Sequence, residues 1–589
     1  MKTARTLCCT LRLLSAAAGL GTLGSRLTLR AGALALGASL AVSLVACDDE
    51  NDPKTWTKRL DDPAQRANAI KRLTQFYEDG MTRANNNASA PEIKSLLDTI
   101  VEPLTKTYTA GGLDDKTRVD LMKFLAETHD ARTQPAIAKA LKDFEMGKTD
   151  DEVRVSCESI NAMAKAGTKL EQTVVDELWN VFSKFQVSKA TSERLFRALH
   201  DAVVAVHDPS YGDKAIDKLS KPVNPEDVNS LKDQIQWWQQ TSIQVIRELA
   251  YTKAIKPLVL VLLTPTKLDL NALSRMTLLK MAKQAEPELI KAFNGQDPDY
   301  TKAGEAFKDK TNLAIIADTL ALLSRPNGRD AILNALPNAD TDTTKTAFAQ
   351  ALVQFPEDAR VEPAFMSAYN KLKWDASVEL LGALKPRAAL AQASANFYDP
   401  ALTDWLVSEM AKAPDAASKL LPLEAALKVM PKDKKGEVGA ALQKAKGELP
   451  GDVFNASKQM FDFAGQVVDK CGTSTSCYLS VLDEPVPSTP TTANWRSIKA
   501  SWMAVVYGDG SAQANTRAEL LKRVDKVKDA SARLSLVEAI DELAPGGDAA
   551  SADALDKIVA ADTKSGDKNL LMADDSVVKI ALRLRARAN

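Results

Sequence analysis

The chain has 589 residues, enough for several domains, with 76 Lys+Arg against 77 Asp+Glu and only three histidines. A near-neutral surface of mixed sign argues against a nucleic-acid binder, which needs a basic face, and against electrostatic docking to anionic lipid. No GxSxG, P-loop or HExxH sequence is present, so no catalytic residue, metal ligand or cofactor is assigned.

The first element is an apolar leader. Residues 31–46 are an uncharged run of sixteen, shorter than the ~20 residues of a spanning helix, with Arg26 and Arg30 just before it. Leu44, Val45, Ala46 and Cys47 resemble the bacterial lipobox. The resemblance implies that residues 1–46 are a lipoprotein signal peptide and that Cys47 becomes the lipidated first residue of the mature chain. Each acyl CH₂ buried in a bilayer contributes ~0.8 kcal/mol, so several chains make a durable anchor. The localisation expected is the cell envelope, membrane-anchored and facing the periplasm. Thirty residues precede the apolar run, which fits either a long n-region or a translation start near residues 23–30. In enterobacteria an Asp directly after the lipidated cysteine retains similar lipoproteins at the inner membrane, and Asp48 stands there. Other lineages sort differently, so both membranes stay open. Without the leader, which holds five basic residues and no acidic one, the chain carries 71 basic against 77 acidic residues, a net charge of −6.

Residues 47–54 read as an acidic tether. From Trp56 the apolar positions recur at three- and four-residue steps, as in Ala69, Ile70, Leu73, Phe76 and Tyr77, the pattern of one helix face. A partner helix follows from Pro91. Helix pairs then return, opened by Asp114 and Arg118, by Asp150 and Arg154, and near the C-terminus by Asp529 and Arg533; Asp62 and Arg66 open the first. Four occurrences of Asp-x-x-x-Arg, each leading an apolar helix and a second helix, resemble HEAT-type repeats. The Asp is expected to cap its helix and the Arg to reach acids of the neighbouring repeat. A helix pair cannot bury its apolar face alone, so pairs stack. The fold expected is all-α, an α-solenoid of HEAT-like helix pairs over 55–450. Residues 294–311 read as an insertion or long loop, and 378–384 as a further stretch of the helical series. Leu449, Pro450 and Gly451 mark a break. Further helical repeats follow over 451–589, with a Pro/Thr-rich loop at 484–494 and a last helix over 576–587 carrying Arg583, Arg585 and Arg587.

Cys471 and Cys477 bracket a short loop able to close as a disulfide, which suits an oxidising compartment, and Cys157 reads as a buried apolar residue. His129, His200 and His207 read as structural or surface residues, since a metal site needs more ligands at close spacing. Glu158-Ser159 is similar to the Glu–Ser pair of lytic transglycosylases but lacks the glycine-rich sequence that should follow. Trp237 and Trp238 point about 100° apart on a helix, so at most one packs fully inward and the other could anchor a partner. Trp495 and Trp502 read as core.

These residues together suggest a membrane-anchored, non-enzymatic scaffold that binds a protein partner of the envelope. Two alternatives stand beside it: a carrier of lipid or glycan, and a cell-wall-acting enzyme on a helical superhelix. A charged, mixed inner face would favour protein binding. An inner face of Leu, Phe and Trp would favour the carrier. A polar cleft holding a carboxylate of raised pKa would favour the enzyme.

Overall fold

The computed structural model describes residues 49–189, 193–224, 226–485, 491–508 and 513–588. Among the described residues every regular element is helical. Helix starts follow local chemistry. Asp114, Asp415, Asp529 and Asp548 each accept a hydrogen bond from a backbone N–H of the first turn, and proline stands in the first turn of Pro91–Ala110, Pro326–Ala335 and Pro386–Ala393.

The helices stack in two layers, each packing on the helix one pair further along. In one layer Pro53–Arg59, Pro91–Ala110, Gln134–Lys142 and Gln172–Lys184 follow one another. In the other run Arg66–Arg83, Asp115–Glu127, Asp150–Lys165, Glu193–Ala205 and Asn229–Leu249. This is an α-solenoid, with leucine, isoleucine and valine of both layers buried between them. We refer to residues 49–262 as the arm.

The second layer then curls until it meets itself. Thr311–Leu323, Asp342–Leu352, Pro386–Ala393, Ala416–Val429, Trp495–Val506, Ala530–Glu542 and Lys568–Ala588 pack each on the next. The last returns to Asn271–Lys280 and Thr311–Leu323. Residues 271–588 thus form a closed ring, and Lys568–Ala588 is its closing helix. Arg325 donates to the carbonyl of Ala586 across the seam (2.8 Å), and Arg583 to Gln354 Oε1 (2.6 Å). No helix among the described residues is long and apolar enough to cross a membrane.

Three expectations need correction. The stretch 294–311 contains a helix, Pro298–Gly304, capped by Asp297 and fixed by the buried Tyr300. Residues 378–384 hold only one 3₁₀ turn, with Leu380 and Leu384 exposed, because nothing packs over their apolar side chains. The last helix starts at Lys568, eight residues earlier than expected. Pro450 does precede a new helix, Gly451–Cys471, but packing runs on across it.

Candidate functional site

Two concave regions face inward, one on the arm and one inside the ring. On the arm, Arg66–Arg83 and Asp115–Glu127 stand slightly apart and leave an open groove of about 660 Å³. Its floor is Ile70, Tyr77 and Phe124, the latter two rings meeting edge to face at 5.3 Å. Its walls are Lys71, Glu78, Asp120, Lys123 and Glu127, all exposed. One repeat further, Glu158, Asn161, Arg197 and Asp201 line a second hollow of about 320 Å³. The inner face of the arm is therefore charged, of mixed sign, over an aromatic floor.

The ring encloses a smaller cavity of about 240 Å³. Glu538 and Glu542 reach it from one face of Ala530–Glu542, Lys579 and Arg583 from the closing helix, and Tyr398 from the turn after Pro386–Ala393. Tyr398 stacks on the buried Trp502 at 4.5 Å, and the Lys428 ammonium lies over the indole at 4.5 Å. Burial raises the Glu538 carboxyl. Burial, with Asp541 and Glu357 adding negative charge nearby, pushes Glu542 up to about 8. Burial also lowers Lys579. Asp541 is different, because Arg583 (3.2 Å) and Arg587 both pair with it.

The repeat-signature residues behave in two ways. Asp114 caps its helix at Thr117 N (3.0 Å), and Arg118 reaches the next repeat, where its Nε donates to Glu152 at 2.9 Å. Glu152 is 2 % exposed and also accepts from Tyr108 Oη. Asp529 caps at Ala532 N (2.9 Å), and the fully buried Arg533 pairs with Asp562 of the following helix at 2.5 Å. The other two pairs depart from expectation. Asp62 caps only a turn, at Ala64 N; the helix begins at Arg66, whose Nε turns back to the carbonyl of Leu60. Asp150 lies inside its helix, and Arg154 pairs with Asp151 and Glu158 of the same helix, one turn away on either side.

Trp237 and Trp238 are not outward anchors. Trp237 packs among Phe182, Phe185 and Phe196, and Trp238 donates to the Phe182 carbonyl (3.1 Å) beneath the Lys218 ammonium. The aromatic cluster holds Trp237, while Trp238 is half-buried and held by its hydrogen bond and the lysine above it. Trp495 and Trp502 are buried. Cys157 is fully buried, and burial raises its thiol beyond the neutral range. The sulfurs of Cys471 and Cys477 lie 2.04 Å apart, joining the end of one helix to the next. Cys47 lies outside the described residues, as does the centre of the 484–494 loop. His200 Nδ1 is 2.9 Å from Asp201, and no metal-ligating cluster occurs among the described residues.

Sequence reasoning missed the ring cavity. One signal was available: Glu538, Asp541 and Glu542 crowd the last turn of a helix, where the dipole disfavours acids.

Neither a family model nor a curated protein sequence matches the chain. Solved helical structures resemble it distantly. Importin beta is 8% identical, over 91% of this chain and 74% of that one, with a TM-score of 0.32. A structure concerned with the interaction between cadherin and beta-catenin is 11% identical over 91% and 99%, with a TM-score of 0.24. An engineered protein is 15% identical over 91% and 98%, with a TM-score of 0.18. Similarity at this level adds nothing to the packing described above, and the fold rests on the chain's own helices.

Proposed function

We propose that the chain is an exported lipoprotein, anchored through Cys47 and facing the periplasm, whose arm binds an envelope protein. The observation that carries the binding role is the inner face of the arm. Lys71, Glu78, Asp120, Lys123 and Glu127 surround an aromatic floor, and such a wall suits the charged and polar groups of a protein segment. A carrier of acyl chains would need an apolar lining instead. The anchor reading rests on the lipobox resemblance. It is tested by labelling cells with radioactive palmitate and fractionating them. The wild-type chain takes up label and sediments with membranes, and Cys47→Ser does neither. A soluble or unlabelled wild-type chain would end the anchor reading.

One observation favours a second reading, a cell-wall-acting enzyme. The ring cavity is polar and holds a carboxyl raised to about 8, the protonation state of a general acid at neutral pH. A zymogram on cell-wall substrate tests it, and a cleared band lost in Glu542→Gln would establish it.

A further inference from the structure

We propose that Cys47 ties the arm to the membrane on a short tether, so that the arm groove takes the membrane-proximal segment of a protein embedded in the same membrane. This names the kind of partner for the arm-binding reading, and it rests on that reading and on the anchor.

The tether is short because the chain folds onto the arm almost at once. Residues 47–52 hold no glycine, serine or proline of the kind that makes a flexible or extended linker. Asp49 to Asp52 form a turn, in which the Asp52 N–H donates to the Asp49 carbonyl (3.0 Å) and the Asn51 N–H to Asp49 Oδ1 (2.9 Å). Asp52 then caps Pro53–Arg59 by accepting from the Lys54 N–H (3.0 Å). That helix holds the turn in return. The indole N–H of the buried Trp56 donates to the Glu50 carbonyl (2.9 Å), and the Arg59 guanidinium lies 3.6 Å from the Glu50 carboxylate and 4.4 Å from the centre of the Trp56 ring. Only Cys47 and Asp48 are then left between anchor and arm, and they span at most about 7 Å. With the turn opened, the chain from Cys47 to Pro53 still spans at most about 20 Å.

The groove lies at the same end of the stack. Pro53–Arg59 packs on Arg66–Arg83, and Arg66–Arg83 on Asp115–Glu127. Neighbouring helices are about 8–10 Å apart, so the groove is held within roughly 20–40 Å of the lipidated residue. The ring follows at the other end, beyond Asn229–Leu249, and has no such tie. A protein confined to the same membrane meets a groove placed here at a raised effective concentration, which a freely diffusing protein does not. The walls set the chemistry of the segment. Lys71 and Lys123 stand beside Glu78, Asp120 and Glu127, all exposed, and among the described residues none of the five is in an ion pair. A segment carrying charges of both signs complements them.

The test inserts a Gly/Ser linker of about thirty residues between Asp48 and Asp49 of the full chain, which adds about 30 Å of average reach and leaves the arm unchanged. A photocrosslinking amino acid stands at Asn68, an exposed position on the groove. Cells are labelled with palmitate and irradiated, and the captured protein is then followed through an alkaline carbonate wash of membranes from cells that were not irradiated. The expected result is capture of a protein that resists the wash, with a yield about fivefold or more lower in the linker variant, which keeps its palmitate and its membrane location. Equal capture by the linker variant, or capture of a protein that carbonate releases, overturns the proposal and leaves the anchor and the arm standing. A parent chain without palmitate removes the anchor reading and the proposal together. A labelled parent chain that captures nothing from Asn68 removes the arm reading and the proposal together.

Discussion

The arm and the ring are built from the same helix pairs and use the same internal staple, yet only one of them closes. In the arm, Glu152 takes Tyr108 Oη and the Arg118 guanidinium; in the ring, Glu409 takes Tyr369 Oη (2.5 Å) and Arg387 (2.8 Å). Burial opposes ionisation of Glu409, and the bonds from Lys412, Tyr369 and Arg387 outweigh it, so the carboxyl is held below its usual range. A buried carboxylate with both partners fixes the angle between repeats without deciding whether the stack closes. Closure comes from the closing helix, whose Val577, Ala581 and Leu584 are buried and whose arginines reach Asp541, Asp553 and Asp556. An open stack leaves its inner face to solvent and to large partners. A closed one turns the same layer into the wall of a small cavity.

The comparison breaks most visibly if the closing helix is removed. A chain ending at Asp567 should lose hydrogen-exchange protection over 271–280, 311–323 and 530–542 while the arm helices 115–127 and 150–165 keep theirs. Unchanged protection in the ring would mean that closure is held elsewhere. Next in size are the aromatic cores. Trp502→Ala in the ring and Trp237→Ala in the arm should each cost about 3–5 kcal/mol, and calorimetry should show each lowering a different transition. One shared transition would make arm and ring a single cooperative unit. Smaller is the staple. Arg118→Ala and Arg387→Ala each leave a buried carboxylate short of a partner, at about 2–3 kcal/mol in denaturant unfolding. A loss in only one region would show that the two staples are not equivalent.

Smaller again is the Glu542 titration. Its folded pKa is raised above the unfolded value, so its favourable contribution is complete below the ordinary glutamate range and is lost as pH rises to about 8. Glu542→Gln should remove this slope and leave the variant about 1 kcal/mol or more ahead of wild type at pH 9. Parallel stability curves for the two proteins would place Glu542 in contact with solvent. Smallest is a surface pair. Lys434→Ala breaks contacts to the exposed carboxylates of Asp404 (2.7 Å) and Glu437 (3.2 Å) and should cost less than about 1 kcal/mol.

Much of the fold was legible because helix periodicity and caps are local. The apolar steps through Ile70, Leu73 and Tyr77 and the Asp114 cap are written within one or two turns of chain. Arg118 and Arg533 reached a neighbouring repeat as the resemblance implied, whereas Arg66 and Arg154 found nearer acceptors that the motif does not encode. The ring could not be read, since Arg583 and Gln354 are 229 positions apart and nothing local announces their meeting. For the same reason the acids that receive the three C-terminal arginines are hidden from a local reading. From the sequence, either Trp237 or Trp238 reads as a possible anchor because adjacent tryptophans must diverge. The rings of Phe182, Phe185 and Phe196 that enclose Trp237 come from other helices and turns.

The central claim is that partner binding belongs to the inner face of the arm. It is tested most directly by in-cell crosslinking of the tagged chain, with identification of what co-purifies from mild detergent. Wild type is compared with a Lys71→Glu, Lys123→Glu double variant and with Glu542→Gln. The account predicts an envelope protein captured in stoichiometric amount by wild type and by Glu542→Gln, and lost from the arm variant while that variant stays folded and membrane-bound. The same protein captured equally by the arm variant, or lost only with Glu542→Gln, would contradict it.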